Sequence, residues 1–363
     1  MSKLAFLLSS ERSGSNLMRV ILDSHRDYSA PHSPHLIKTF VPLLANYGDL
    51  RSKDNLAQLA NDMRKVVEIQ LRSWPFIPTT EQIIKRTECA SFAGLMEAIY
   101  GLAAEQDGKS KSFIKDNGCM PLAPEIVTLF PNAKFVYLVR DARDVALSWK
   151  KSPGHPGGVK QAARMWLSEQ TDAIYFLSMI AHRGNVIVVA YEDLVSNPHR
   201  EIERICEHLQ IQFDENMLKF YQGKEAKTSA EAAVGWKNLV KPILSENIGK
   251  YKIELSRKEI RKIEKISALP LLQLGYELDF ALTMPWFDPS IVGKLYRAGR
   301  VALKQLMRGR EGLEELKKRT SRLSGLREII NRKQNDHPKW FQPQSKSNGQ
   351  LLSRSGIKNE LDD

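Results

Sequence analysis

The segment Ser9-Ser-Glu-Arg-Ser-Gly-Ser-Asn16 gathers hydroxyls, one amide, one guanidinium and one glycine into a single short stretch. A loop of this kind can hold an anion. Its backbone N–H groups converge, Gly14 lets them come close, and Ser13, Ser15 and Asn16 add side-chain donors. Arg12 supplies a fixed charge and a planar donor fork. Farther along, Arg140 and Ser148 offer a guanidinium and a hydroxyl to a phosphate, and Tyr191 offers an aromatic face to a base. His32 and His35 are of the type that exchanges protons near neutrality, and Lys115 and Asp116 stand in one polar turn.

These residues need elements to place them. Leu4 to Leu8 read as a short buried strand, and Leu17, Val20 and Ile21 have helical spacing. The loop therefore joins a strand to a helix start, and the positive end of that helix faces it. Lys134 to Val139 is nearly continuous and apolar, as a strand covered on both faces should be, and it ends at Arg140. A helix over 144–151 places Ser148 on a face Arg140 can share. A strand over 112–117 leads into the Lys115–Asp116 turn, and a buried strand over 185–191 ends in Tyr191. Helices are expected at 36–45, 55–74, 81–87, 92–106, 123–130, 161–181 and 198–209, and at 257–266 with Pro270 as its stop. Strands alternating with helices imply an α/β fold, a mostly parallel sheet with helices on both faces. Its ligands bind beyond the carboxyl ends of the strands.

The net charge of +12 suits a phosphorylated ligand, an acidic polymer or an anionic membrane surface. Cys89, Cys119 and Cys206 fit neither a disulfide framework nor a zinc pattern, which points to a reducing compartment. No signal peptide is recognised, and no run nears the roughly 20 apolar residues of a membrane span. A soluble, cytoplasmic protein is expected. Residues 1–284 read as one domain, 285–333 as a basic helical extension and 334–363 as a disordered tail. The first loop lacks the Gly-x-x-x-x-Gly-Lys-Ser/Thr pattern, which counts against hydrolysis of ATP or GTP.

Four segments together resemble the sulfotransferases that use 3′-phosphoadenosine 5′-phosphosulfate. Glu11 to His25 is similar to their 5′-phosphosulfate loop, and is nearest to the tyrosylprotein and bacterial types, which have Arg where others have Lys. Val139 to Trp149 resembles the 3′-phosphate motif, Tyr191-Glu-Asp-Leu194 the segment whose Tyr contacts adenine, and Gly235-Trp-Lys-Asn238 a late segment that closes on the nucleotide. The resemblance runs over about residues 4 to 250, in the same order. It implies a three-layer P-loop-like fold. It also implies a nucleotide site made by Arg12, Ser13, Gly14, Ser15, Asn16, Leu17, Arg140, Ser148, Tyr191, Trp236 and Lys237, with no metal. The chain departs from the pattern at three places. Lys115-Asp116-Asn117 replaces a Lys-Thr-His turn, His32 and Ser33 replace a Glu pair, and Ser229-Ala230-Glu231 replaces Arg-Lys-Gly.

Sulfuryl transfer needs positioning and charge stabilisation more than covalent work. Arg12 is the expected cation at the leaving group, because a guanidinium does not readily give up its proton. His32 is the expected base, with His35 and Asp116 as rivals, and Lys115 would assist at the sulfuryl oxygens. The expected acceptor is the hydroxyl of a small molecule, lipid or carbohydrate, or else an amine, and not a nucleic acid. Its pocket would draw on residues 36–108, the 152–158 loop and the chain after Tyr221. The basic C-terminal helices would provide any peripheral membrane contact. Two other readings stay open: a P-loop nucleotide kinase, and a binding protein that lacks a base.

Overall fold

The computed structural model describes residues 3–280 apart from 71, 73, 181 and 182, together with 325 and 328. Except for those last two positions, the expected extension over 285–333 lies outside the described residues, as does the whole tail. The elements run β1 (Leu4–Ser9), α1 (Ser15–Asp23), β2 (Tyr28–Ser29), α2 (Leu36–Phe40), α3 (Lys53–Glu68), α4 (Thr80–Arg86), α5 (Phe92–Gln106) and β3 (Lys111–Lys115). They continue with α6 (Ala123–Leu129), β4 (Lys134–Val139), α7 (Ala142–Lys151), α8 (Gly158–Ile180), β5 (Val186–Ala190), α9 (Tyr191–Ser196) and α10 (Pro198–Leu209). The last three are α11 (Lys224–Ala232), α12 (Tyr251–Glu254) and α13 (Arg257–Gln273).

The sheet order is β2-β3-β1-β4-β5 and every pairing is parallel. Alternation along the strands divides the core in two. Leu4, Phe6 and Leu8 of β1 join Phe135 and Tyr137 of β4 under α3, α5, α6, α7, α8 and α13. Ala5 and Leu7 join Val136 and Leu138 on the other face, under α1, α9 and α10. This is the three-layer arrangement expected of alternating strands and helices. Because β3 lies on one side of β1 and β4 on the other, the chain reverses direction across β1. The crevice at the carboxyl end of β1 is the switch point at which such sheets bind ligands.

Four local expectations are corrected. The strand over 185–191 is an edge strand, not a buried one: Val188 is 44% exposed. The helix over 55–74 ends at Glu68, because Gln70 and Trp74 turn inward to hold His32. The helix over 36–45 ends at Phe40 and continues as a 3₁₀ turn from Val41, with Pro42 at its start. Helix α13 runs through Pro270 to Gln273. Pro270 lies in the last turn, where its missing N–H costs one bond and its ring is buried. No helix among the described residues is long and apolar enough to cross a membrane.

Below the first loop, Glu169 of α8 is buried, and one carboxyl oxygen has no partner among the described residues. Burial pushes its carboxyl up to about 7, aided by the Glu11 charge and opposed by the Ser10 hydroxyl. A carboxyl raised above its unfolded value favours the folded state only while protonated. Its contribution is present at pH 4 and is lost as pH climbs to about 7. Glu169→Gln is therefore expected to raise stability by about 1–3 kcal/mol at pH 8 and by almost nothing at pH 4.5. Denaturant melts at the two pH values check this, and an equal gain at both would contradict it.

Candidate functional site

The loop after β1 keeps two residues in the left-handed region, Arg12 (φ 69°) and Gly14 (φ 92°). Gly14 caps the nine-residue α1. Its role is set by contact as well as by conformation. A Cβ built there would lie 2.5 Å from Cδ2 of Tyr191, so only glycine lets this backbone rest on that ring. Arg140 stacks on Tyr191 with its guanidinium carbon 4.2 Å from the ring centre. Arg140 also donates to the carbonyls of Arg12 (3.2 Å) and Asn247 (2.7 Å), and its own carbonyl accepts from buried Trp166 (3.0 Å). Three strand ends are thus locked together at one point.

The cavity over them has a volume of about 510 Å³. Arg12, Gly14, Ser15, Asn16, Leu17, His32, His35, Lys115, Arg140, Ser148, Tyr191 and Trp236 all line it. Ser13 is fully buried beside it, and its hydroxyl has no partner among the described residues. Asn16 Oδ1 and Arg140 Nε are also buried and unmatched there. Unmatched buried polar atoms in native proteins require an explanation, and an anionic ligand supplies one for the two donors, Ser13 Oγ and Arg140 Nε. The residues present therefore fit an anionic ligand such as a phosphate.

Some expected residues sit elsewhere or act differently. Lys237 is exposed and does not line the cavity; Lys241 and Lys250 do. The Ser148 hydroxyl, expected to face a phosphate, accepts from Arg12 Nε at 3.1 Å. Tyr191 is covered by Arg140 on its face and by Gly14 at its edge, so it spaces the site more than it offers an open stacking face. The possible pairing of Arg140 with Asp141 or Asp144 is not made: Asp141 pairs with Arg143 at 2.6 Å. Asp144 instead accepts from the N–H groups of Gly249 and Tyr251, which brings Asn247 and Lys250 to the cavity. The departure at Ser229 also has a structural role. Ser229 and Glu225 of α11 accept from Arg19 and Arg72, tying α11 to α1. Burial works against the Glu225 charge, but the two guanidinium groups hold its carboxyl below the usual range.

The histidines differ sharply. His32 is buried, with Nδ1 at 3.0 Å from Gln70 Oε1 and its ring 5.1 Å from Trp236. Burial, then the Arg19 and Lys115 charges, push its pKa well below the ordinary value. It is neutral but a weak base. His35 Nδ1 lies 2.8 Å from Asp116 Oδ1. The other Asp116 oxygen accepts from the Ile37 N–H at the start of α2 (2.9 Å). Asn117, which stands where the resemblance would place a base, is bound to Ser9 and Ser15 instead.

A family model described as "Sulfotransferase family" matches residues 5–215. The chain belongs to the sulfotransferase family. Protein-tyrosine sulfotransferase A of Caenorhabditis elegans is 23% identical over 273 residues, covering 73% of this chain and 65% of its own length. Nodulation protein NoeE of Sinorhizobium fredii is 24% identical, covering 76% of this chain and 66% of its own length. This sulfotransferase thus spans about two thirds of each of these relatives. In structure it is similar to the sulfotransferase domain from the curacin biosynthetic pathway, with a TM-score of 0.52 and 21% identity over 76% of this chain and 98% of that one. That likeness shows a shared fold.

Proposed function

We propose that this sulfotransferase moves the sulfuryl group of 3′-phosphoadenosine 5′-phosphosulfate to the hydroxyl of a small molecule, lipid or carbohydrate, with His35 as the general base. One observation carries the reading. A single cavity at the switch point joins the anion loop and Arg140, on the β4 side, to a histidine–carboxylate pair on the β3 side. Asp116 can only accept when ionised, so it fixes the proton on His35 Nδ1 and leaves Nε2 as the basic nitrogen. The acceptor proton passes to Nε2 as the acceptor oxygen attacks sulfur in line. The bond from sulfur to the bridging oxygen breaks, and charge collects on the departing bisphosphate. Arg12 steadies that charge, and Lys115 stands near enough to the cavity to serve the sulfuryl oxygens.

The missing lysine of the Walker pattern disfavours the nucleotide kinase reading. A binding protein without a base is disfavoured by the His35–Asp116 pair. Calorimetry with adenosine 3′,5′-bisphosphate is the direct test. Saturable binding without added Mg²⁺ is expected, and absence of binding would remove the proposal. Mass spectrometry of acceptor panels incubated with the donor would then show a gain of one sulfuryl group.

A further inference from the structure

Glu11 is an unexpected neighbour for an anion loop. It precedes Arg12, lines the same cavity and is 35% exposed at its side chain. A carboxylate there repels a charged nucleotide unless something offsets it. The structure supplies a partner from far along the chain. His155 Nε2 lies 2.6 Å from Glu11 Oε2, and His155 Nδ1 lies 2.6 Å from Ser152 Oγ. His155 is itself buried, with its ring 4.3 Å from Trp149 in an edge contact. The Trp149 indole donates to the Pro156 carbonyl at 2.9 Å. The loop between α7 and α8 is thus held from its own side by Trp149 and Ser152, and from the anion loop by Glu11 alone among these contacts. Ser152, Pro153 and His155 line the cavity as well.

We infer that His155 is a positioning residue that masks the Glu11 charge and latches the 152–158 loop onto the anion loop, so that loop closure and nucleotide binding support each other. The inference rests on the proposed sulfotransferase reading for the identity of the nucleotide. The physics is a linkage. With the latch closed, the Glu11 carboxylate is held by a hydrogen bond to the imidazole and turned away from repelling a phosphate. With the latch open, the carboxylate loses that hydrogen bond and competes with the ligand for the Arg12 guanidinium. A ligand that prefers the closed state therefore closes the loop, and a closed loop raises affinity for that ligand. Because the same loop lines the cavity, the latch also fixes one wall of the space into which an acceptor enters.

The test uses the full chain and four proteins: wild type, Glu11→Gln, His155→Ala and the double variant. Affinity for adenosine 3′,5′-bisphosphate is read by calorimetry, and order in residues 152–158 by hydrogen exchange. His155→Ala is expected to weaken the bisphosphate roughly tenfold, a typical size for an uncompensated charge near a site, and to speed exchange in the loop. Adding Glu11→Gln to it should restore most of the affinity while the loop stays fast. A purely structural histidine would not be rescued in this way. Glu11→Gln alone, which keeps an acceptor for His155, should bind at least as tightly as wild type and fold without difficulty. The latch is overturned if His155→Ala binds the bisphosphate like wild type, if the double variant stays as weak as the single, or if loop exchange is unchanged. If wild type itself binds no bisphosphate, the sulfotransferase reading has failed, and the latch is then judged on loop exchange alone.

Discussion

Replacing His35 with alanine is expected to lower kcat by about 10²–10⁴-fold, the usual range for loss of a general base. Affinity for adenosine 3′,5′-bisphosphate should hardly change, because the residues proposed for the nucleotide come from the β1, β4 and β5 ends and the Val234–Val240 turn, none of them on α2 or its approach. Two histidines that look alike in the sequence differ in the fold. His32 is packed on Trp236 and held by Gln70, and burial lowers its pKa well below normal. A base whose conjugate acid is that strong gives little driving force for taking a hydroxyl proton. His35 has the carboxylate of Asp116 behind it, so positive charge on its ring is stabilised as it forms. Asp116→Asn should then cost part of the same factor, by losing the charge and leaving the ring tautomer unfixed. His32→Ala should instead show itself mainly as a lower melting temperature. Single-turnover rates with the bound donor distinguish these outcomes. A rate loss confined to His32→Ala would overturn the assignment.

The meeting of the first loop, Arg140 and Tyr191 at one cavity could be read from local sequence, because each part is a strand end followed by its own loop. Leu4–Leu8 before Ser13 and Gly14, and Phe135–Val139 before Arg140, announce themselves by apolar runs that stop at polar residues. The long-range pairs at the cavity could not be read in this way. The His35–Asp116 bond spans 81 positions, and the His155–Glu11 bond spans 144. Both depend on β3 pairing with β1, or on where the loop after α7 folds back, and neither is set by spacing. The two-residue β2 has too few positions to show a period. Burial of His32 likewise depends on Trp74 and Gln70 turning inward after α3 ends, which the continuing apolar pattern does not show. The lysines at the cavity are set by the fold for a similar reason. Lys237 belongs to the matching motif, but the 3₁₀ turn over Val234–Val240 leaves it exposed, and Asp144 draws the following segment inward to bring Lys250 to the cavity.

Gly14→Ala is expected to weaken binding of the bisphosphate by about a hundredfold, through a backbone position that makes no side-chain contact with any ligand. Two costs combine. At φ 92° an L residue is strained by about 1–2 kcal/mol, because its Cβ crowds the following carbonyl. The new methyl would also lie 2.5 Å from the Tyr191 ring, which is closer than carbon atoms approach, so either the loop or the ring must move. The ring cannot move alone. Arg140 is stacked on it and bonded to the Arg12 and Asn247 carbonyls, so shifting Tyr191 disturbs the guanidinium proposed for the 3′ phosphate. Shifting the loop instead moves the backbone N–H groups away from the 5′ end. Either response removes some 2–3 kcal/mol from binding, and each 1.4 kcal/mol is a factor of ten. The fold should survive, since the strain sits at one loop above an intact sheet, and a thermal melt checks that. Removing the ring as well, in Gly14→Ala with Tyr191→Ala, relieves the collision but not the strained dihedral. Its loop should therefore hold the 5′ phosphate better than the single variant does, while the 3′ phosphate stays poorly held for want of the stacked Arg140. Comparing adenosine 5′-phosphate with the 3′,5′-bisphosphate by calorimetry isolates these two ends. If Gly14→Ala binds both nucleotides as wild type does, the contact between this loop and Tyr191 does not shape the site.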